Sequence, residues 1–156
     1  MQTIDFAQFQ MEIPSSFQKV APGLVENKQI VNKVIASYKE KQEWFSPNLI
    51  VSASKLAQQL DFEQFRTANT HKLKNFMVWY QAWEKELISF DCHGENVQGI
   101  FVTFQIKSAL YGKVEQYAIS QYQFVFDNTG YIISTAYLDP DEQMNLKKRV
   151  KTLQCK

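Results

Sequence analysis

Hydrophobic and polar residues alternate through the second half of the chain, and this period-two pattern predicts a four-strand antiparallel meander over residues 84–137. Ile88, Phe90 and Cys92 alternate with Ser89 and Asp91 before the turn signal His93-Gly94-Glu95-Asn96. Ile100, Val102, Phe104 and Ile106 then alternate with Phe101, Thr103, Gln105 and Lys107, and Tyr111-Gly112-Lys113 turns again. In the third segment Tyr117 and Ile119 share one face, whereas Tyr122, Phe124 and Phe126 take the other. Such a change of phase marks a β-bulge near Ser120-Gln121 or a strand packed on both faces. Asp127-Asn128-Thr129-Gly130 is a tight hairpin turn that needs positive φ, and Tyr131–Tyr137 completes the sheet.

The first half is more mixed. Phe9-Gln10-Met11-Glu12-Ile13 alternates strictly and stops at Pro14, which predicts a half-buried strand. Pro22-Gly23 is a turn signal. Ile30, Val31, Val34, Ile35 and Tyr38 recur at helical spacing and predict a helix, although their β-branched side chains suit a strand equally well. Leu49-Ile50-Val51 reads as a short buried strand, and Ser52 or Ser54 as the cap of a short helix through Leu60. Asp61, with Gln64 in capping-box position, opens the principal helix, Asp61–Tyr80, whose stripe is Phe62, Phe65, Leu73, Phe76, Met77 and Tyr80. Asp139-Pro140-Asp141-Glu142 predicts a closing helix to Gln154, with Leu146, Val150 and Leu153 inward and Lys147, Lys148, Arg149 and Lys151 toward its C-terminal end. Those basic residues complement the helix dipole and are solvated. The expected core faces are Ile100/Val102/Phe104/Ile106 and Phe65/Leu73/Phe76.

A length of 156 residues fits one α+β domain, 1–156, large enough to bury a core without metal or disulfide. Lys and Arg number 17 against 16 Asp and Glu, so no general positive field exists to attract nucleic acid. No apolar run approaches the roughly 20 residues of a membrane span. Met1-Gln2-Thr3 leads straight into Ile4-Asp5-Phe6 without an export signal, which leaves open a cytoplasmic protein and a mature domain whose leader was removed.

Reactive chemistry finds little support. The five glycines are dispersed, so no Gly-rich phosphate loop exists, and no Gly-x-Ser-x-Gly elbow occurs. His71 sits among polar helical neighbours and reads as a surface residue. His93 adjoins Cys92, but neighbours in a strand point to opposite faces, which opposes a thiol–imidazole pair. Cys92, His93 and Cys155 lack zinc-ligand spacing. No cofactor, metal or catalytic residue is expected. Cys92 ends a predicted strand, Cys155 ends the closing helix and no other thiol competes, so a Cys92–Cys155 disulfide is expected; the alternative is two apolar thiols in a reducing cytosol. Trp79, Tyr80 and Trp83, with Trp44-Phe45 before Pro47, concentrate aromatic surface. Such residues more often seal a small core than bind, but Trp44, Trp79 and Trp83 are the candidate partner contacts.

The order of elements, with Phe9–Pro14, Pro47–Val51 and Gly130–Ser134 as local cues, resembles the PsbP-like α/β/α sandwich. That resemblance implies an antiparallel sheet flanked by helices. It further implies a non-enzymatic extracytoplasmic accessory or binding protein, periplasmic or extracellular, that meets a protein or envelope component. The alternative fold is the cone of nuclear-transport-factor-two type. The alternative function is a small-ligand carrier or enzyme with a pocket between sheet and principal helix, lined by Phe76, Tyr80 and Tyr122.

Overall fold

A computed structural model describes residues 1–21, 33–40, 47–55, 80–110, 113–137 and 144–156, apart from the side chains of 80–83, 106–110 and 113–117. Ten strands and one short helix lie within them: β1 (Gln2–Phe6), β2 (Phe9–Ile13), β3 (Gln18–Lys19), β4 (Lys33–Lys39), β5 (Asn48–Lys55), β6 (Tyr80–Cys92), β7 (Glu95–Leu110), β8 (Lys113–Phe126), β9 (Thr129–Tyr137), α1 (Leu146–Val150) and β10 (Gln154–Cys155). The strands form a seven-stranded sheet in the order β3-β4-β5-β9-β8-β7-β6 and a three-stranded sheet in the order β1-β2-β10. All pairings are antiparallel.

The meander has the expected strand order and two of its expected turns; the turn at Tyr111-Gly112 lies outside the described residues. His93 and Gly94 join β6 to β7 at φ 51° and 87°, and Asp127 and Asn128 join β8 to β9 at φ 48° and 56°. Both φ values are positive in each two-residue loop, as a type I′ hairpin requires. The phase change in β8 is not a bulge. Its register against β7 and β9 runs unbroken through Ser120-Gln121, and the strand buries Ser120, Tyr122 and Phe124 on one face and Gln121 and Gln123 on the other. The irregularities fall instead in β6, between Ala82 and Glu84, and in β4, between Val34 and Ala36.

Three expectations are corrected. Lys33–Lys39 is a strand rather than part of a helix, because β5 offers it a ladder partner and its Val and Ile suit the pleat. Ser52 and Ser54 continue β5 instead of capping a helix, since Ile132 and Gly130 of β9 lie opposite them. Among the described residues the closing helix spans Leu146–Val150: Asn145 caps it, its Oδ1 accepting from the Lys148 amide at 3.3 Å, and the chain then turns into β10. The sheet thus dominates where a helix-flanked sandwich was expected. The principal helix, the Pro22-Gly23 turn and the Asp139 cap lie outside the described residues.

The expected core face of β7 is buried at Ile100, Val102 and Phe104, and a further core that was not expected lies on the opposite face. Ile4, Phe6, Phe9, Met11 and Ile13 of the small sheet pack with Leu146, Val150 and Leu153 onto Val97, Phe101, Tyr122, Phe124, Tyr131, Ile133, Leu49 and Val51. Phe9 is its hub, with the rings of Phe124 and Tyr131 each at 5.2 Å in edge-to-face contact. Ile100, Val102 and Phe104 are buried on the second face, outside that cluster. Both faces of the sheet are therefore buried, which alternation alone does not reveal.

Candidate functional site

The register of the large sheet aligns side chains into transverse rows on the main core face. One row crosses β6, β7, β8, β9 and β5 as Ile88, Gly99, Phe124, Tyr131 and Ala53. The next runs Glu86, Phe101, Tyr122, Ile133 and Val51, and the third runs Glu84, Thr103, Ser120, Thr135 and Leu49. In two steps the face passes from apolar to polar. This polar end is the candidate site.

Its hydroxyl groups satisfy one another. Thr103 Oγ1 and Ser120 Oγ are 3.0 Å apart, and Ser120 Oγ lies 3.1 Å from the Tyr137 hydroxyl. Thr135 Oγ1 donates to the Asn48 carbonyl at 2.6 Å, and Asn48 Oδ1 accepts from the Ala136 amide. Thr103, Ser120 and Thr135 are buried, which such cross-strand bonding makes tolerable. On the open side Lys147, from α1, reaches across the ring of Phe101 and pairs with Glu84 Oε1 at 2.7 Å and with Glu86. Glu84 and Glu86 share a face of β6 because they are two residues apart.

Deeper in, Gly99 lets the Tyr122 ring lie on the β7 backbone; a Cβ at Gly99 would overlap that ring, with Cε1 at 2.6 Å. The Tyr122 hydroxyl then crosses to β6 and donates to the Ile88 carbonyl at 2.6 Å. Burial raises the pKa of Tyr122, and burial is also the leading cause of the upward shifts of Tyr38 and Tyr131. Lys147 is raised as well, first by its hydrogen bond to Glu84 and then by that to Glu86. All four groups are thereby held more firmly in their protonated forms, away from the neutral range in which an acid–base catalyst works.

On the second face, Gln123 Nε2 donates to Gln121 Oε1 at 2.9 Å. Register places Gln123 between Ile100 and Ile132. Gln123 is 1% exposed, and its Oε1 has no hydrogen-bond partner among the described residues.

The expected site residues are distributed as follows. Cys92 and Cys155 are disulfide-bonded with Cα atoms 5.2 Å apart, within the common range. Neither is then available as a nucleophile or metal ligand. His93 Nε2 meets the Lys156 main-chain oxygen at 2.9 Å, and the Lys156 amide donates to the Gln8 carbonyl, so the end of β10 is held on three sides. Trp83 falls at the β6 irregularity, where the register slips between Ala82 and Glu84. Trp44, Trp79, His71 and Phe76 lie outside the described residues. Tyr122 is buried in the core cluster, and its hydroxyl is committed to the Ile88 carbonyl. Sequence reasoning missed the Lys147–Glu84–Glu86 group. Its only trace was the shared face of the two acids, because nothing local brings α1 to β6.

These elements define a PsbP-like fold. Neither a family model nor a curated protein sequence matches the chain. Among solved structures, the Ran-binding protein Mog1p of Saccharomyces cerevisiae superposes with a TM-score of 0.54 at 13% identity, over 94% of this chain and 89% of that one. The cyanobacterial PsbP protein (CyanoP) of Synechocystis gives 0.53 at 11% identity, over 96% and 87%. The protein PA94 of Pseudomonas aeruginosa gives 0.55 at 10%, over 97% and 91%. At these identities the likeness is one of fold.

Proposed function

We propose that this chain, read as one domain over 1–156, is a non-enzymatic binding or accessory module that acts on a protein or envelope partner outside the cytoplasm. One observation carries the reading: the polar groups of the candidate site are spent on one another. The hydroxyls bond in a row, Lys147 is paired twice and Tyr122 donates to a backbone carbonyl, so that among the described residues of the site these polar groups are already engaged. The fold shared with a Ran-binding protein is in keeping with a protein partner. The Cys92–Cys155 disulfide is in keeping with an oxidising compartment. Trp44, Trp79 and Trp83 are the proposed aromatic contacts.

The test is affinity capture from the native envelope fraction, comparing the wild type with a Trp44/Trp79/Trp83 triple alanine variant of unchanged circular dichroism. Loss of specific partners from the variant supports the assignment. Equal capture assigns the tryptophans to structure. A second reading, a carrier of small apolar ligands, is favoured by the unpartnered Gln123 Oε1 on the second face. It predicts a co-purifying ligand with a hydrogen-bond donor, visible in native mass spectrometry and lost in Gln123→Leu.

A further inference from the structure

The seven-stranded sheet ends at β6, which among the described residues pairs only with β7. Cys92 and Glu95 close the two-residue hairpin, so they form a hydrogen-bonded pair, and the bonded positions alternate from there. Glu84, Glu86, Ile88, Phe90 and Cys92 thus direct their amides and carbonyls toward β7. Lys85, Leu87, Ser89 and Asp91 direct theirs outward. The bond from Tyr122 to the Ile88 carbonyl agrees with this phase, because that oxygen faces into the sheet. Lys85, Leu87, Ser89 and Asp91 are all exposed, and among the described residues none covers their side chains. Leu87 is 67% exposed, an unusual position for a leucine in the middle of a long strand.

The charges along this edge are self-complementary. Lys85 and Asp91 stand three residues to either side of Ile88, and among the described residues neither makes an ion pair. Six residues of strand separate them by about 20 Å, too far to meet within one chain. A twofold axis through Ile88, perpendicular to the sheet, would place Lys85 of each copy opposite Asp91 of the other. The same register sets Leu87 opposite Ser89, both as hydrogen-bonded pairs. Glu84 and Glu86 lie on the other face and are already engaged by Lys147. The slip at Trp83 ends the usable edge at Glu84.

From this geometry we infer that β6 is a self-association edge: two copies join antiparallel about Ile88 into one continuous sheet. The occupant is a second copy of this chain, because a twofold matches both charges at once. This goes beyond the partner-binding reading and does not depend on it.

Sedimentation equilibrium of the oxidised full chain tests it, with Lys85→Asp, Asp91→Lys and the double variant. Both sites are exposed, so each variant should fold, and circular dichroism checks that it does. The wild type should form dimers, and each single variant should associate at least about tenfold more weakly, because two attractive pairs become repulsive. An equimolar mixture of the two single variants should recover the dimer as a heterodimer, and the double variant should recover a homodimer. A wild type that stays monomeric at about 0.5 mM would overturn the inference. So would single variants that dimerise as the wild type does, or an unrelated extended peptide that occupies the β6 edge of a monomer.

Discussion

Removing the Cys92–Cys155 crosslink tests how the far end of the chain is held. The bond closes a loop with a sequence separation of 63. In the chain-entropy treatment, such a loop restricts the unfolded state by about 14 cal/mol/K, or about 4 kcal/mol at room temperature. For 156 residues the unfolding entropy is about 0.33 kcal/mol/K, so the loss corresponds to about 13 °C in melting temperature. The Cys92→Ala/Cys155→Ala double variant should show this loss in urea titration and in calorimetry, and reduced wild type should behave alike. Hydrogen exchange adds a local readout, since the Lys156 amide bonds to Gln8 and should lose protection before the Phe9 core does. A loss below about 1 kcal/mol with protection unchanged would refute the reasoning. Leu153 packing and the short β10–β2 ladder would then suffice to hold the segment.

Other substitutions probe the sheet. Gly99→Ala should displace the Tyr122 ring and break its bond to Ile88, lowering stability by about 2–4 kcal/mol in urea titration, whereas Tyr122→Phe should cost only about 1 kcal/mol. Phe104→Ala should cost about 3–5 kcal/mol as a buried aromatic truncation; a loss below about 1 kcal/mol would mean that the second face is not packed. For Lys147 the folded pKa lies above the unfolded value of 10.5, so its contribution is complete below that value and fades only as pH rises through the folded one. The stability difference between wild type and Lys147→Met should therefore stay flat from about pH 7 to about pH 10, as denaturant melts at several pH values would show.

Local order was legible in the sequence wherever one period and one turn chemistry agreed. His93-Gly94 and Asp127-Asn128 demand positive φ, and the strands between them alternate, so the meander could be read directly. Lys33–Lys39 could not, because Val34, Ile35 and Tyr38 satisfy either period and the choice rests on β5, a partner elsewhere in the chain. The end of the closing helix was misjudged because its stop depends on β10 finding β2. Which face of β7 meets the small sheet was equally hidden, since Phe101 and Val102 are both apolar and both buried. The candidate site was only half visible: Glu84 and Glu86 share a face by spacing alone, but their cation arrives from 63 residues away, through tertiary packing.

The pairing of Gln10 with Gln154 sets a timetable for synthesis. β2 is synthesised well ahead of the strand that covers its second edge, about 140 residues further along the chain. At about 5–20 residues per second, β2 waits from several seconds to about half a minute with an open edge beside Phe9 and Met11. During that interval the nascent chain offers a short apolar template to any neighbouring strand. Chaperone demand should therefore persist until β10 is made and fall once it docks.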